Sequence, residues 1–164
     1  MNELEQILVG DGYAAAPDHI LEGLAEDLVH RKPEGAPHSI YEELWHVAFW
    51  QQVTLDWIRG VETPFPVSPS DGFPTVLDME RESWAQLCGR FFNGAQQGAA
   101  AARDENWLAR RVRCPSRPGK PVRTMTVLEQ VENMAAHNAY HLGRIVLLRQ
   151  LLGAWPPRSG GFSW

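Results

Sequence analysis

Six histidines occur in the chain, and three of them stand where apolar packing is expected: His46 in the Trp-rich segment "EELWHVAFWQ", and His137 with His141 in "AAHNAYHLGRIVLLRQLLG". A buried imidazole needs a partner for each ring nitrogen or loses hydrogen-bond energy, and neutral imidazole is also a common metal ligand. On an ideal helix at about 100° per residue, Gln130, Met134, His137, His141, Ile145, Leu148 and Leu152 fall in one stripe, the face that packs inward. Glu42, His46, Trp50, Val53 and Trp57 share a face of a second helix in the same way. Three protein nitrogens with one position left open is the pattern of a catalytic zinc site rather than a closed structural one, and it suits nickel or iron as well. The plainer alternative is three core histidines satisfied by hydrogen bonds.

The elements that must bring these rings together are four helices with two long connections. The first is expected from near Pro17 to His30, with Ile20, Leu21, Leu24 and Leu28 at core spacing and Pro17 in the first turn. The second starts at Ser39, whose capping box with Glu42 satisfies the first free amides, and ends near Gly60. That structural task makes Glu42 a poor fourth ligand. "VETPFPVSPSDGFPT" then reads as a substantial loop with Phe65 and Phe73 exposed, and loops of that length are often functional. A third helix is expected from about Leu77 to Ala102, with Trp84, Leu87 and Phe91 on its core side. "RRVRC" and "PVRT" flank a Pro/Gly turn and suggest a short hairpin before the last helix. That helix opens with a capping box at Thr126 and Glu129 and closes at Leu152, before Gly153. The expected fold is an all-α four-helix bundle forming one domain over 1–164. The tail "AWPPRSGGFSW" is not helical, and its aromatic residues call for packing on the bundle or on a second subunit.

Composition narrows the function. At 164 residues the chain can bury a core without disulfides, and its two cysteines, Cys88 and Cys114, lack ligand spacing, which suggests a cytoplasmic protein with reduced thiols. Cys88 reads as a small core residue. The start of the chain lacks the basic residues and apolar run of a signal peptide, and there is no apolar stretch long enough for a membrane span. A net charge of −5 argues against a nucleic-acid partner. One basic region, Arg110, Arg111, Arg113, Arg117, Lys120 and Arg123, either stays solvated or lines the approach of an anionic substrate.

The stretches "GAPHSIYEELWHVAFWQ" and "HNAYHLGRIVLLRQLLGAWPP" resemble the DinB/YfiT-like family of metal-binding four-helix bundles. The resemblance runs from the first helix to the end of the fourth and is weakest over Val61 to Arg123. It implies that His46, His137 and His141 bind one divalent metal, nickel or zinc, at one end of the bundle, and that the protein is a homodimer. Characterised members of that family are thiol-dependent transferases, isomerases and thiol-activating domains, so a low-molecular-weight thiol is the implied cosubstrate.

The chemistry also follows from the ligand set. A divalent ion held by three neutral imidazoles keeps its charge and makes a thiol or water beside it far more acidic. A thiol as nucleophile makes a transferase and activated water makes a hydrolase, and the residues leave both open. A non-catalytic metal-binding or partner-binding helical module is the competing class. Around the three histidines, Gln130 and Asn133 are candidates to orient imidazoles, Tyr140 reads as a packing residue, and Trp50 and Trp57 read as walls, with Trp50 shaping the pocket. His19, His30 and His38 share no face with the three and read as surface groups, and Gly143 suggests close helix approach.

Overall fold

The computed structural model describes residues 2–10 and 14–160, and its described part is mostly helical with a two-stranded sheet. Three long helices form the frame: α4 (Ile40–Ile58), α6 (Trp84–Ala101) and α8 (Val127–Leu151). α4 packs against both α6 and α8, while α1 (Glu3–Val9) lies against α6 and α8 and supplies the fourth side. α4 and α8 start where the sequence indicates. Ser39 Oγ accepts from the Glu42 amide while the Glu42 carboxylate accepts from the Ser39 amide, and Thr126 and Glu129 repeat the arrangement. Gly60 and Gly153, both at positive φ, close the two helices.

Two expected helices are broken. The segment from Pro17 to His30 forms α2 (Pro17–Leu21) and α3 (Glu26–Val29), separated by Gly23 at φ +68. Ile20, Leu21, Leu24 and Val29 are buried in this form, so the apolar spacing is satisfied by two short turns as well as by one helix. The segment from Leu77 to Ala102 forms α5 (Val76–Arg81) and α6, with Glu82 extended between them. Three contacts hold that break: Ser83 caps α6 with Gln86, Tyr41 Oη donates to the Glu82 carbonyl at 2.7 Å, and Arg90 forks onto the Glu82 carboxylate at 2.7 and 2.8 Å. α1 was not expected from the sequence, although Asn2 and Glu5 form its capping box.

After α7 (Glu105–Leu108), the hairpin is present: β1 (Arg111–Cys114) pairs antiparallel with β2 (Arg123–Thr126). Val112 and Cys114 point inward, and Arg111 and Arg113 outward. Apolar burial forms two clusters. One is centred on Tyr41, Leu44, Leu87, Phe91 and Ile145, and the other on Leu55, Ile58, Val127 and Val131. Gly143 faces open space rather than a close helix. Trp155 packs on the bundle, over the Arg149 guanidinium and edge-on to His19, while Phe162 and Trp164 lie outside the described residues. No described helix is long and apolar enough to cross a membrane.

Candidate metal centre

α4 and α8 meet face to face, and their inward positions bring His46, His137 and His141 together. One nitrogen from each ring lies within 4.8 Å of the other two. The ring centroids are 4.5 to 5.1 Å apart. His46 Nε2 and His137 Nε2 are 3.2 Å from each other. Two nitrogens each about 2.0–2.1 Å from one ion would be about 3.0–3.4 Å apart at ordinary bond angles, so this spacing fits shared coordination.

The outward-facing nitrogens of two rings are already engaged. His46 Nδ1–H donates to the carbonyl of Gly72 at 2.8 Å, leaving the Nε2 lone pair for the interior. His141 Nδ1–H donates to Glu43 Oε2 at 2.6 Å, again leaving Nε2 free for a ligand. Metal-ligating histidines usually have such a partner, which fixes tautomer and ring orientation. The three residues therefore fit a divalent ion in spacing, and two of them, His46 and His141, fit it in tautomer as well.

Glu43 is the residue that sequence reasoning passed over. It is fully buried, and besides His141 it receives Arg144 Nε and Nη2 on Oε1 at 3.0 and 2.7 Å. Burial works against its charge, but the hydrogen bonds from His141 and Arg144 outweigh that and hold the carboxyl below its usual range. Arg144 also donates to Tyr140 Oη at 3.2 Å, and the Tyr140 ring stands edge-on to His141. Glu42, as expected, serves the cap and pairs with Lys32 at 2.8 Å.

The loop after α4 reaches the site. Ser68 and Asp71 cap a short 3-10 turn, Pro69–Gly72, which delivers the Gly72 carbonyl to His46. Phe73 then stacks on His46 at 4.2 Å and on His38 at 3.9 Å, so that His38, read as a surface group, is half-buried in a three-ring stack. Phe65 packs against Trp50 and Trp57. Neither phenylalanine is exposed as the sequence suggested, because each covers part of an aromatic wall. Gln130 donates to Met125 Sδ, and among the described residues neither Gln130 nor Asn133 hydrogen-bonds to a site imidazole. Of the other histidines, His30 is exposed and stacks on Tyr41, and His19 is half-buried by Trp155. Burial pushes the half-buried Cys88 thiol up to about 12, as befits a packing residue rather than a nucleophile.

Burial makes two of the site imidazoles weak bases. His46 falls to about 4, with the Gly72 hydrogen bond opposing the shift, and His137 falls to about 3, with the neighbouring histidines adding to the effect of burial. In the unfolded chain both take a proton near pH 6.5. Below that pH the unfolded state binds more protons, so stability is fully present above about 6.5 and declines as pH falls toward 4. The chelator-treated protein should therefore show a lower urea midpoint at pH 5.0 than at pH 7.0. A His46→Gln/His137→Gln variant should lose most of that difference. An unchanged slope in the variant would mean that other groups carry it.

No curated protein and no solved structure matches the chain. The sequence model of the DinB superfamily matches residues 15–145, a span that holds α2 through most of α8 and all three site histidines. With most of its length covered by that match and its fold of the expected helical kind, the chain belongs to the DinB superfamily.

Proposed function

We propose that this protein is a divalent-metal-dependent enzyme, a thiol transferase or a hydrolase, in which His46, His137 and His141 hold zinc or nickel. The observation that carries the reading is the pair of Nδ1 hydrogen bonds, to Gly72 and to Glu43, which turn two Nε2 atoms toward the third imidazole. A bound divalent cation would supply Lewis acidity, making a thiol or water presented there easier to deprotonate at neutral pH. The chain's own residues do the rest. Glu43 and Gly72 fix the ring orientations, and Phe73 shields the His46 ring from water. Arg144 keeps Glu43 anionic, so the carboxylate strengthens the His141 donor set. Superfamily membership supports the same reading. The substrate is a small molecule with, in the transferase case, a low-molecular-weight thiol. The proposed working state is a cytoplasmic homodimer with no nucleic-acid partner.

The test is metal analysis followed by turnover. The purified protein should carry about one zinc or nickel per chain, and the loaded form should turn over either a thiol with an electrophile panel or an ester and amide panel. Protein that purifies without metal and melts at the same temperature with added zinc or nickel overturns the proposal. Metal that is held without turnover of either panel leaves the non-catalytic metal-binding module.

A further inference from the structure

The outer side of α8 is not an ordinary solvent face. Between Asn133 and Leu151 every exposed position of this helix is uncharged, whereas charged and polar residues normally cover the side of a helix that meets water. The two arginines within that span are turned to other work: Arg144 grips Glu43, and Arg149, 2% exposed, donates to the Ala154 carbonyl at 3.0 Å. At about 100° per residue the exposed positions form one stripe about 120° wide. Small residues, Ala136, Ala139 and Gly143, run along one edge of it. Large ones, Tyr140, Leu147 and Leu151, run along the other and are 59%, 54% and 60% exposed. α6 is uncharged on its exposed side too and has an open glycine, Gly89, but it exposes no large apolar side chain.

Gly143 sharpens the contrast. Glycine weakens a helix interior, and at Gly94 and Gly98 of α6 the reason for it is steric, because a Cβ would collide with Gln51 and Met134. At Gly143 a Cβ would meet open space, so nothing in the described part of the chain calls for the missing side chain. Beside Gly143 and Leu147 a groove of about 500 Å³ runs between α8, α1 and α2, with Ile7, Ile20 and Trp155 in its wall.

We infer that this stripe is where a second copy of the chain docks, about a two-fold axis running roughly along α8. Two observations favour a copy over an unrelated partner. With a net charge of −5, two chains repel wherever their surfaces are charged, and near a two-fold axis each charge would face its own like; the stripe is free of both costs. Such an axis also sets the large edge of each copy over the small edge of the other, so the partner supplies the close helix that Gly143 lacks within its own chain. The area is of the right order. Asn133 to Leu151 spans about 28 Å, and with α1 alongside the face is about 20 Å wide, roughly 550 Å² in projection and more over the side-chain relief. A stable dimer buries about 800 Å² per partner. A membrane surface matches less well, since no exposed residue of the stripe is a lysine or arginine that could meet lipid headgroups.

Docking would reach the metal centre through Tyr140, which accepts from Arg144 at 3.2 Å and stands edge-on to His141. A partner lying over Tyr140 buries the outer end of the chain of contacts from Arg144 through Glu43 to His141. The inference rests on the proposed function only for the homodimer to which it gives a face, and not on the metal.

Sedimentation velocity of the full chain, as purified and after chelator treatment, tests it. The expected result is a dimer with a dissociation constant below about 10 µM. Leu147→Glu puts a charge into the stripe, and Gly143→Leu fills its small edge with a better helix former; each should weaken the dimer about tenfold or more with the far-UV circular dichroism spectrum unchanged. Asn93→Glu, on the exposed side of α6, should leave the dimer as it is. A monomer at all concentrations overturns the inference, including one that binds phosphatidylcholine–phosphatidylglycerol vesicles, and so does a dimer that neither stripe variant weakens or that Asn93→Glu weakens as much. A monomer that takes up metal removes the dimer and leaves the metal reading standing, while a metal-free dimer that Leu147→Glu dissociates does the reverse.

Discussion

Stoichiometric uptake of zinc or nickel should vanish when His141 is replaced with alanine, while the helical circular dichroism spectrum is retained. His141 is 7% exposed and, in the proposed site, offers the nitrogen opposite the Glu43 hydrogen bond, so its removal deletes one of three proposed ligands and, among the described residues, the one tied to a buried carboxylate. Loss of a supporting hydrogen bond to a ligand costs about 10–100-fold in affinity, and loss of the ligand itself should exceed that. The fold survives because Glu43 keeps both Arg144 contacts, leaving only one carboxylate oxygen without a partner at a cost of about 1–3 kcal/mol. Metal content measured by mass spectrometry and melting followed by circular dichroism separate the two effects. Retention of one ion per chain in His141→Ala would contradict the assignment of the site.

Glu43→Ala should be the most damaging single change among the polar residues near the site. It removes the acceptor for His141 and for both Arg144 donors in a position with no exposure. Breaking a fully buried ion pair costs about 3–5 kcal/mol, but Arg144 is 34% exposed and can turn part of its charge to water. A loss of about 2–3 kcal/mol in chelator-treated protein is the expected size, read from urea unfolding. Glu43→Gln is the sharper test of function. It keeps the volume and one acceptor but loses the anion, so metal affinity should fall by about 10–100-fold with a smaller change in stability. If Glu43→Gln binds metal as tightly as the unaltered protein, the carboxylate is a structural group and does not orient His141.

The two helices that carry the histidines are legible because their starts are. Ser39 with Glu42 and Thr126 with Glu129 fix where each helix begins, and the helical period then sends His46, His137 and His141 inward. The breaks at Gly23 and Glu82 are harder to read. Apolar spacing over Pro17–Val29 suits a continuous helix and a pair of turns equally, and the second break depends on contacts with Tyr41 and Arg90 from distant parts of the chain. Ser83 and Gln86, like Asn2 and Glu5, were start signals that could have been taken. Glu43 did leave a trace: it sits three residues before His46 and falls between Ile40 and Val47, both buried, where a charge is out of place unless it has partners. The His38 stack and the approach of the loop had no such trace, since neither follows from any local period.

His46 is oriented through the backbone of the loop after α4. Its proton is anchored by a peptide oxygen at position 72 rather than by a side chain, and every amino acid supplies the same oxygen. A Cβ there would sit 3.4 Å from His46 Nδ1 and from Trp50 Nε1, an ordinary contact. Alanine at 72 would thus leave the same nitrogen facing inward, while a bulkier side chain at this buried position would press on the His46 and Trp50 rings. A length change in the segment carrying Pro69–Gly72 would move the anchoring oxygen itself, so the centre depends on how far that loop reaches as well as on the small residue at its end.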